Sequence, residues 1–317
     1  MLTDLFAGLP RDILERLEDF QVDVTHDKAK GPIDELLSRS VLKGGKRLRP
    51  LLTYLMGKLF ELEMRDCDVL ARSIEQVHAA SLAHDDVIDN ATLRRGEPSI
   101  NIQGSNKKAV LAGDYLLANV IMELSRETRL DVVSSMAKVI QELSEGEWVQ
   151  WEAASERTYS PEILEDIAQK KTASVMSWCC LAPAILANKK SEVCQKAQEF
   201  GHHMGIAFQQ MDDTLDFAET SQKDQELDLA NEQVNFVMYE WLCEDKKRLQ
   251  SYQSGTKLTE LARGADFSAA CEKVEKRALD HISKSRKLLE ELSPNSQQKE
   301  VLVSLGLILD FLSDRAF

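Results

Sequence analysis

The chain has 317 residues, 43% of them hydrophobic and 29% charged, enough to bury a large core and too apolar for intrinsic disorder. It has only 14 glycines and 7 prolines, which argues against sandwiches, propellers and doubly wound sheets, whose turns consume both. A formal charge of −14 excludes general attraction to nucleic acid or anionic lipid, so any phosphate-binding site must be a local concentration of basic residues.

The first residues carry Asp4, Asp12 and Glu15, without the basic start and apolar stretch of a signal peptide. Gly44-Gly45 interrupts helical periodicity just before a basic cluster, Lys46, Arg47 and Arg49, closed by Pro50. A helix is predicted over about 66–90, with Val69, Leu70, Ile74, Val77 and Ser81 on one stripe. Arg95-Gly96-Glu97-Pro98 reads as a loop. Further helices are predicted near 107–125, 130–153 and 161–186, the last opened by Ser160, Pro161 and Glu162 as cap, pre-set backbone angle and dipole partner. Another covers about 192–218, and several follow Leu227. No apolar run approaches the ~20 residues that span a bilayer. Six scattered cysteines form no CxxC and no Cys/His cluster, a reduced pattern without a disulfide framework or zinc site. The expected object is all-α, a single large antiparallel helix bundle forming one domain over 1–317, soluble and cytoplasmic.

Two acidic motifs stand out, Asp85-Asp86-Val87-Ile88-Asp89 and Asp212-Asp213-Thr214-Leu215-Asp216. On a helix the first and fifth residues of each lie one turn apart on one face, where like charges repel unless a cation sits between them. Solvated acidic faces would explain one such run. Here Ala83, Val87, Ile88, Phe208, Met211 and Leu215 crowd both motifs with apolar residues, which favours metal binding. Oxygen ligands without nearby Cys or paired His point to a hard ion, Mg²⁺ or Mn²⁺, bridging carboxylates to substrate phosphates. Arg94-Arg95 follows the first motif, Lys46 and Arg49 follow the Gly-Gly turn, and Lys171 precedes Thr172. Each could be a solvated surface charge, yet arginine forks and lysine ammonium groups are also what phosphate oxygens require.

The motifs Gly44-Gly45-Lys46-Arg47-Leu48-Arg49-Pro50, His78 to Arg95, Lys171-Thr172-Ala173 and Phe208 to Asp213 together resemble, in order and spacing, those of trans-isoprenyl diphosphate synthases. The resemblance runs from about residue 30 to Asp314-Arg315. It implies the isoprenoid synthase fold with a central cavity, and head-to-tail (1'-4) condensation of isopentenyl diphosphate with an allylic diphosphate (geranyl, farnesyl or geranylgeranyl). It further implies three Mg²⁺ ions, bound by Asp85, Asp86 and Asp89 on one wall and by Asp212, Asp213 and Asp216 on the other. Arg94 and Lys171 would hold the allylic diphosphate, and Lys46, Arg49, His78 and Arg95 that of isopentenyl diphosphate. Thr172 and Gln209 would sit as neutral dipoles near the developing cation. His78 alone could equally be a hydrogen-bonded core histidine, and His84 a packing residue. A homodimer is implied, and no nucleic-acid partner.

One segment departs from the family pattern. Where members carry Asp-Leu-x-x-Gly-Lys-x-Thr-x-Pro, this chain reads Asp228-Leu229-Ala230-Asn231-Glu232-Gln233-Val234-Asn235-Phe236-Val237. The lysine expected to grip the allylic diphosphate is absent; Lys223 is one candidate to replace it. Ala80 and Ser81, about one turn before Asp85, occupy the level that a bulky aromatic blocks in short-chain relatives, which predicts products beyond C20, such as a quinone tail. Alanine there would also permit close helix packing. A class I terpene cyclase is the second enzyme reading, but it has no need of the second basic site. A catalytically weak subunit supporting a partner synthase is the non-enzymatic reading, motivated by Glu232-Gln233.

Overall fold

The computed structural model describes residues 8–22, 31–45, 47–217, 229, 232–292 and 298–314. Lys46 and Lys223 lie outside the described residues. In chain order the helices are α1 (Arg11–Glu18), α2 (Pro32–Arg39), α3 (Leu48–Leu59), α4 (Met64–Ile88), α5 (Ile100–Gln103), α6 (Asn106–Glu127), α7 (Leu130–Glu156), α8 (Pro161–Ala168), α9 (Ser174–Leu186), α10 (Ser191–Leu215), α11 (Phe236–Glu244), α12 (Lys246–Gln253), α13 (Leu258–Leu261), α14 (Ser268–Leu292) and α15 (Lys299–Ser313). The all-α expectation holds. No helix of the described residues is long and apolar enough to cross a membrane.

Two compact units are formed, one from Leu9–Ile140 with Trp178–Cys194, the other from Met1–Gly8, Gln141–Ser177 and Gln195–Phe317. In the first, α4 packs against α3 and α6. Its core includes Leu36 and Leu37 of α2 with Ala79, Ala80, Ala83, Ala109 and Ala112, the alanines being small enough to let α4 and α6 approach closely. Gly113 marks the tightest point: a Cβ there would lie 2.2 Å from Nε2 of His84. His84 thus packs against α6, with Nε2 also 3.2 Å from the Val110 carbonyl. In the second unit, α11 packs on α14, burying Phe236, Val237, Trp241, Leu242 and Val274.

Two local features differ from the sequence expectation. Residues 93–98 are a short antiparallel hairpin, β1 (Leu93–Arg94) paired with β2 (Glu97–Pro98), rather than an irregular loop. Arg95 (φ 54°) and Gly96 (φ 78°) are both left-handed, as the tightest hairpin turns require. Two residues per strand are too few for alternation to register in the sequence. The helix expected over 161–186 is interrupted by a π-helical turn, Gln169–Ala173, between α8 and α9. The start signal is as read: Ser160 Oγ accepts from the Ile163 N–H at 3.3 Å.

Candidate functional site

Both acidic motifs occupy the last turn of a 25-residue helix, the first ending α4 and the second ending α10. A helix C-terminus carries partial negative charge, so carboxylates stacked there are disfavoured unless cations compensate them. The α4 terminus is closed by Asn90 in the left-handed region (φ 53°), with the Ala91 N–H on the Asp86 carbonyl at 3.0 Å and the Asn90 N–H on that of Val87 at 3.3 Å.

Within each motif the middle acid differs from the outer two. Asp86 is fully buried; Arg94 donates to its Oδ1 through Nε at 2.7 Å, and the Ile100 N–H donates to its Oδ2 at 3.3 Å. Asp213 is equally enclosed: Gln209 Nε2 donates to Oδ1 at 2.7 Å and the Phe236 N–H to Oδ2 at 2.9 Å. That amide opens α11, so Asp213 meets the positive end of a helix. Asp85, Asp89 and Asp216 are half-buried and Asp212 is exposed. Asp86 and Asp213 thus differ from the outer acids of their motifs: both oxygens of each already accept hydrogen bonds from the protein. Arg94, expected on the allylic diphosphate, has two guanidinium nitrogens on Asp86.

Around His78 the first unit gathers positive charge. Burial, then the guanidiniums of Arg49, Arg95, Arg94 and Arg47, hold its pKa well below the usual histidine range, so the ring is neutral at pH 7. Arg47, left-handed at φ 51°, anchors the loop through Glu75 Oε1 at 2.5 Å and the Leu42 carbonyl at 3.1 Å. Arg95 Nη1 donates to the Lys43 carbonyl at 3.0 Å, and a Cβ on Gly45 (φ 97°) would lie 3.4 Å from the same nitrogen. The Gly-Gly turn thus lies directly against the arginine pair. A cavity of about 220 Å³ opens here, lined by Arg39, Lys43, Arg94 and Arg95 over Leu82 and Ile100. Ala80 and Ser81 do not line it; Ala80 is fully buried and Ser81 Oγ donates to the His78 carbonyl at 2.9 Å.

In the second unit the π turn presents Lys171 and Thr172. Gly146 and Gly205 make room for it: a Cβ on Gly146 would lie 2.8 Å from Lys171 Cγ, and one on Gly205 2.5 Å from Ala173 Cα. Lys171 pairs with Glu147 and donates to Gln150 Oε1 at 3.0 Å. Asp213, which only accepts, fixes the Gln209 amide with its nitrogen inward. Gln209 Oε1 must then accept, and Thr172 Oγ1 donates to it at 2.6 Å. The Thr172 proton is committed, leaving its oxygen with lone pairs only, the polarity suited to a neighbouring cation.

A family model described as polyprenyl synthetase matches residues 31–266. The chain belongs to the polyprenyl synthetase family. A decaprenyl-diphosphate synthase of Dictyostelium discoideum is 33% identical over 273 residues, covering 84% of this chain and 59% of that relative. A mitochondrial solanesyl-diphosphate synthase 1 of rice (Oryza sativa subsp. japonica) is 32% identical over 292 residues, covering 84% of this chain and 67% of the relative. The chain therefore spans only part of the length of these relatives. Its fold matches the crystal structure of a decaprenyl diphosphate synthase from Rhodobacter capsulatus with a TM-score of 0.85 at 23% identity, each chain covered in full.

The polyprenyl synthetase motifs mark some of these residues and miss others. Gly45 and Arg95 meet, as do Thr172, Gln209 and Asp213. Glu147 and Gln150, which hold Lys171, and Glu75, which holds Arg47, belong to no motif. Each lies 21 to 28 residues from its partner, beyond any local pattern.

Proposed function

We propose that the chain condenses isopentenyl diphosphate head to tail (1'-4) with an allylic diphosphate, making an all-trans polyprenyl diphosphate longer than C20. The observation that carries this reading is the placement of both aspartate motifs at helix C-termini with their middle acid already hydrogen-bonded by the protein. That arrangement gives the outer carboxylates, Asp85, Asp89, Asp212 and Asp216, the task of binding cations. Among the described residues no three His, Cys, Asp or Glu side chains converge into a ligand cluster. Paired hard oxygens still fit Mg²⁺, which keeps several waters and takes one or two carboxylates beside substrate phosphates. When bound, Mg²⁺ supplies charge that stabilises the departing diphosphate.

The chain's own residues do the rest. Lys171, released from Glu147, and Arg94 hold the allylic diphosphate; Lys46, Arg49 and Arg95 hold the other diphosphate, with neutral His78 among them. Thr172 and Gln209 turn oxygens toward the developing positive charge, so ionisation is favoured electrostatically. A long product is supported by relatives named decaprenyl and solanesyl synthases. A homodimer in the cytoplasm is part of the same proposal.

The retained basic cluster of Arg47, Arg49, Arg94 and Arg95 favours condensation over cyclisation, which uses one diphosphate. The test is stoichiometry: farnesyl and isopentenyl diphosphates with Mg²⁺ should release one diphosphate per isopentenyl unit incorporated, and chelation should stop both. Diphosphate release from farnesyl diphosphate alone, without incorporation, would establish a cyclase instead.

A further inference from the structure

Within the segment that departs from the family pattern, Glu232 is tied to two other parts of the second unit. Glu232 stands where the family carries glycine, and its φ of 57° keeps the left-handed backbone that glycine serves. Its carboxylate has partners on both oxygens. Oε2 lies 3.1 Å from Nη2 of Arg157, and both oxygens accept from the Leu258 N–H at 3.3 Å. Leu258 opens α13, whose own preceding residue, Lys257, supplies no side-chain cap. Arg157 is also left-handed (φ 55°), immediately after α7. Its Nη1 donates to the carbonyls of Tyr252 at 2.7 Å and Thr256 at 2.5 Å, with the guanidinium over the Tyr252 ring at 5.0 Å. One ion pair therefore joins the end of α7, the turn at 232, the end of α12 and the start of α13. Only 18% of the Arg157 side chain and 20% of the Glu232 side chain are exposed.

This turn leads directly into the start of α11. Three residues on, Asn235 Oδ1 caps the helix by accepting from the Met238 N–H at 2.9 Å. The next residue, Phe236, puts its N–H on Asp213. We propose that Arg157 and Glu232 are positioning residues, a clasp that sets the start of α11 on Asp213 and through it the Gln209 amide and the Thr172 hydroxyl. The glutamate found in place of glycine is, on this account, a built anchor rather than a lesion. The effect on turnover rests on the synthase reading above; the clasp itself does not.

The test compares the full-length protein with Glu232→Gly, which relieves the backbone but removes the clasp, and Glu232→Gln, which keeps an acceptor for Leu258 but removes the charge. Amide hydrogen exchange at Phe236 should speed at least tenfold in Glu232→Gly and several-fold in Glu232→Gln, while amides in the middle of α14 stay within twofold. With Mg²⁺, farnesyl and isopentenyl diphosphates, kcat should fall at least tenfold in Glu232→Gly, with KM for isopentenyl diphosphate within twofold. Arg157→Lys, which keeps the charge without the fork, should recover part of both effects relative to Arg157→Met. Phe236 exchange within twofold of the parent in both Glu232 variants would overturn the clasp. Fast exchange with unchanged kcat would overturn its role in positioning Thr172 and Gln209. A parent protein inactive on both substrates would sink the synthase reading, and the exchange rates would still decide the clasp.

Discussion

Arg94 holds the fully buried carboxylate of Asp86 through Nε at 2.7 Å and Nη2 at 2.6 Å, while its own side chain remains 32% exposed. The pair spans the hairpin and the last turn of α4, so it fixes where the arginine pair lies relative to the first motif. Without Asp86 the buried Ile100 N–H loses its acceptor and the part-exposed Arg94 its partner, which costs about 1–3 kcal/mol. Asp86→Ala should therefore destabilise the protein by about 2 kcal/mol in urea unfolding. Asp85→Ala should stay within about 0.5 kcal/mol yet lower turnover by at least about a hundredfold, a loss of about 2.7 kcal/mol in transition-state stabilisation. Equal stabilities for the two variants would remove the structural role given to Asp86.

The π turn gives a second prediction. A methyl on Gly205 would collide with Ala173 Cα at 2.5 Å, a backbone atom that cannot rotate away. Gly205→Ala should cost about 2 kcal/mol and raise KM for the allylic substrate more than for isopentenyl diphosphate, because Lys171 and Thr172 move with the turn. Gly306 is the control: it lies in α15, and a methyl added there would meet nothing within 4 Å. Gly306→Ala should stabilise by about 0.5–1 kcal/mol, read from the same unfolding curves.

A third concerns pH. His203 on α10 and His281 on α14 share a 3.0 Å Nδ1–Nδ1 hydrogen bond, in which one ring donates and the other, necessarily unprotonated at Nδ1, accepts. Burial, then His203, Lys284 and His202, press the His281 pKa down to about 4. The unfolded chain takes up this proton near pH 6.5 and the folded chain does not, so stability should fall as pH drops from about 6.5 toward 4 and then level off. His281→Phe should flatten the melting temperature between pH 6.5 and 4, and an unchanged slope would exclude the pair as its source.

Ala80 supplies a fourth. It is fully buried among small residues of α4 and α6. Ala80→Phe should shorten the product and lower stability by about 1–3 kcal/mol through overpacking. Stability loss with unchanged product length would make Ala80 a packing residue alone.

What the sequence carried and what it did not follow one physical line. The aspartate motifs, the Gly-Gly turn and the Ser160 cap are local, and periodicity or dihedral preference exposes them. The distinction between Asp85 and Asp86 is not local: it depends on Arg94 and Ile100 closing over one carboxylate, which no i, i+4 pattern encodes. The π turn adds a residue inside an unbroken helical pattern, so it left no mark. Glu232 looked like a stray carboxylate because its partner, Arg157, lies 75 residues away at the end of another helix.

The most direct measurement is incubation with Mg²⁺, labelled isopentenyl diphosphate and farnesyl diphosphate, followed by sizing of the dephosphorylated products. The account predicts a ladder that extends beyond C20. No incorporation under conditions where a known synthase is active would contradict it.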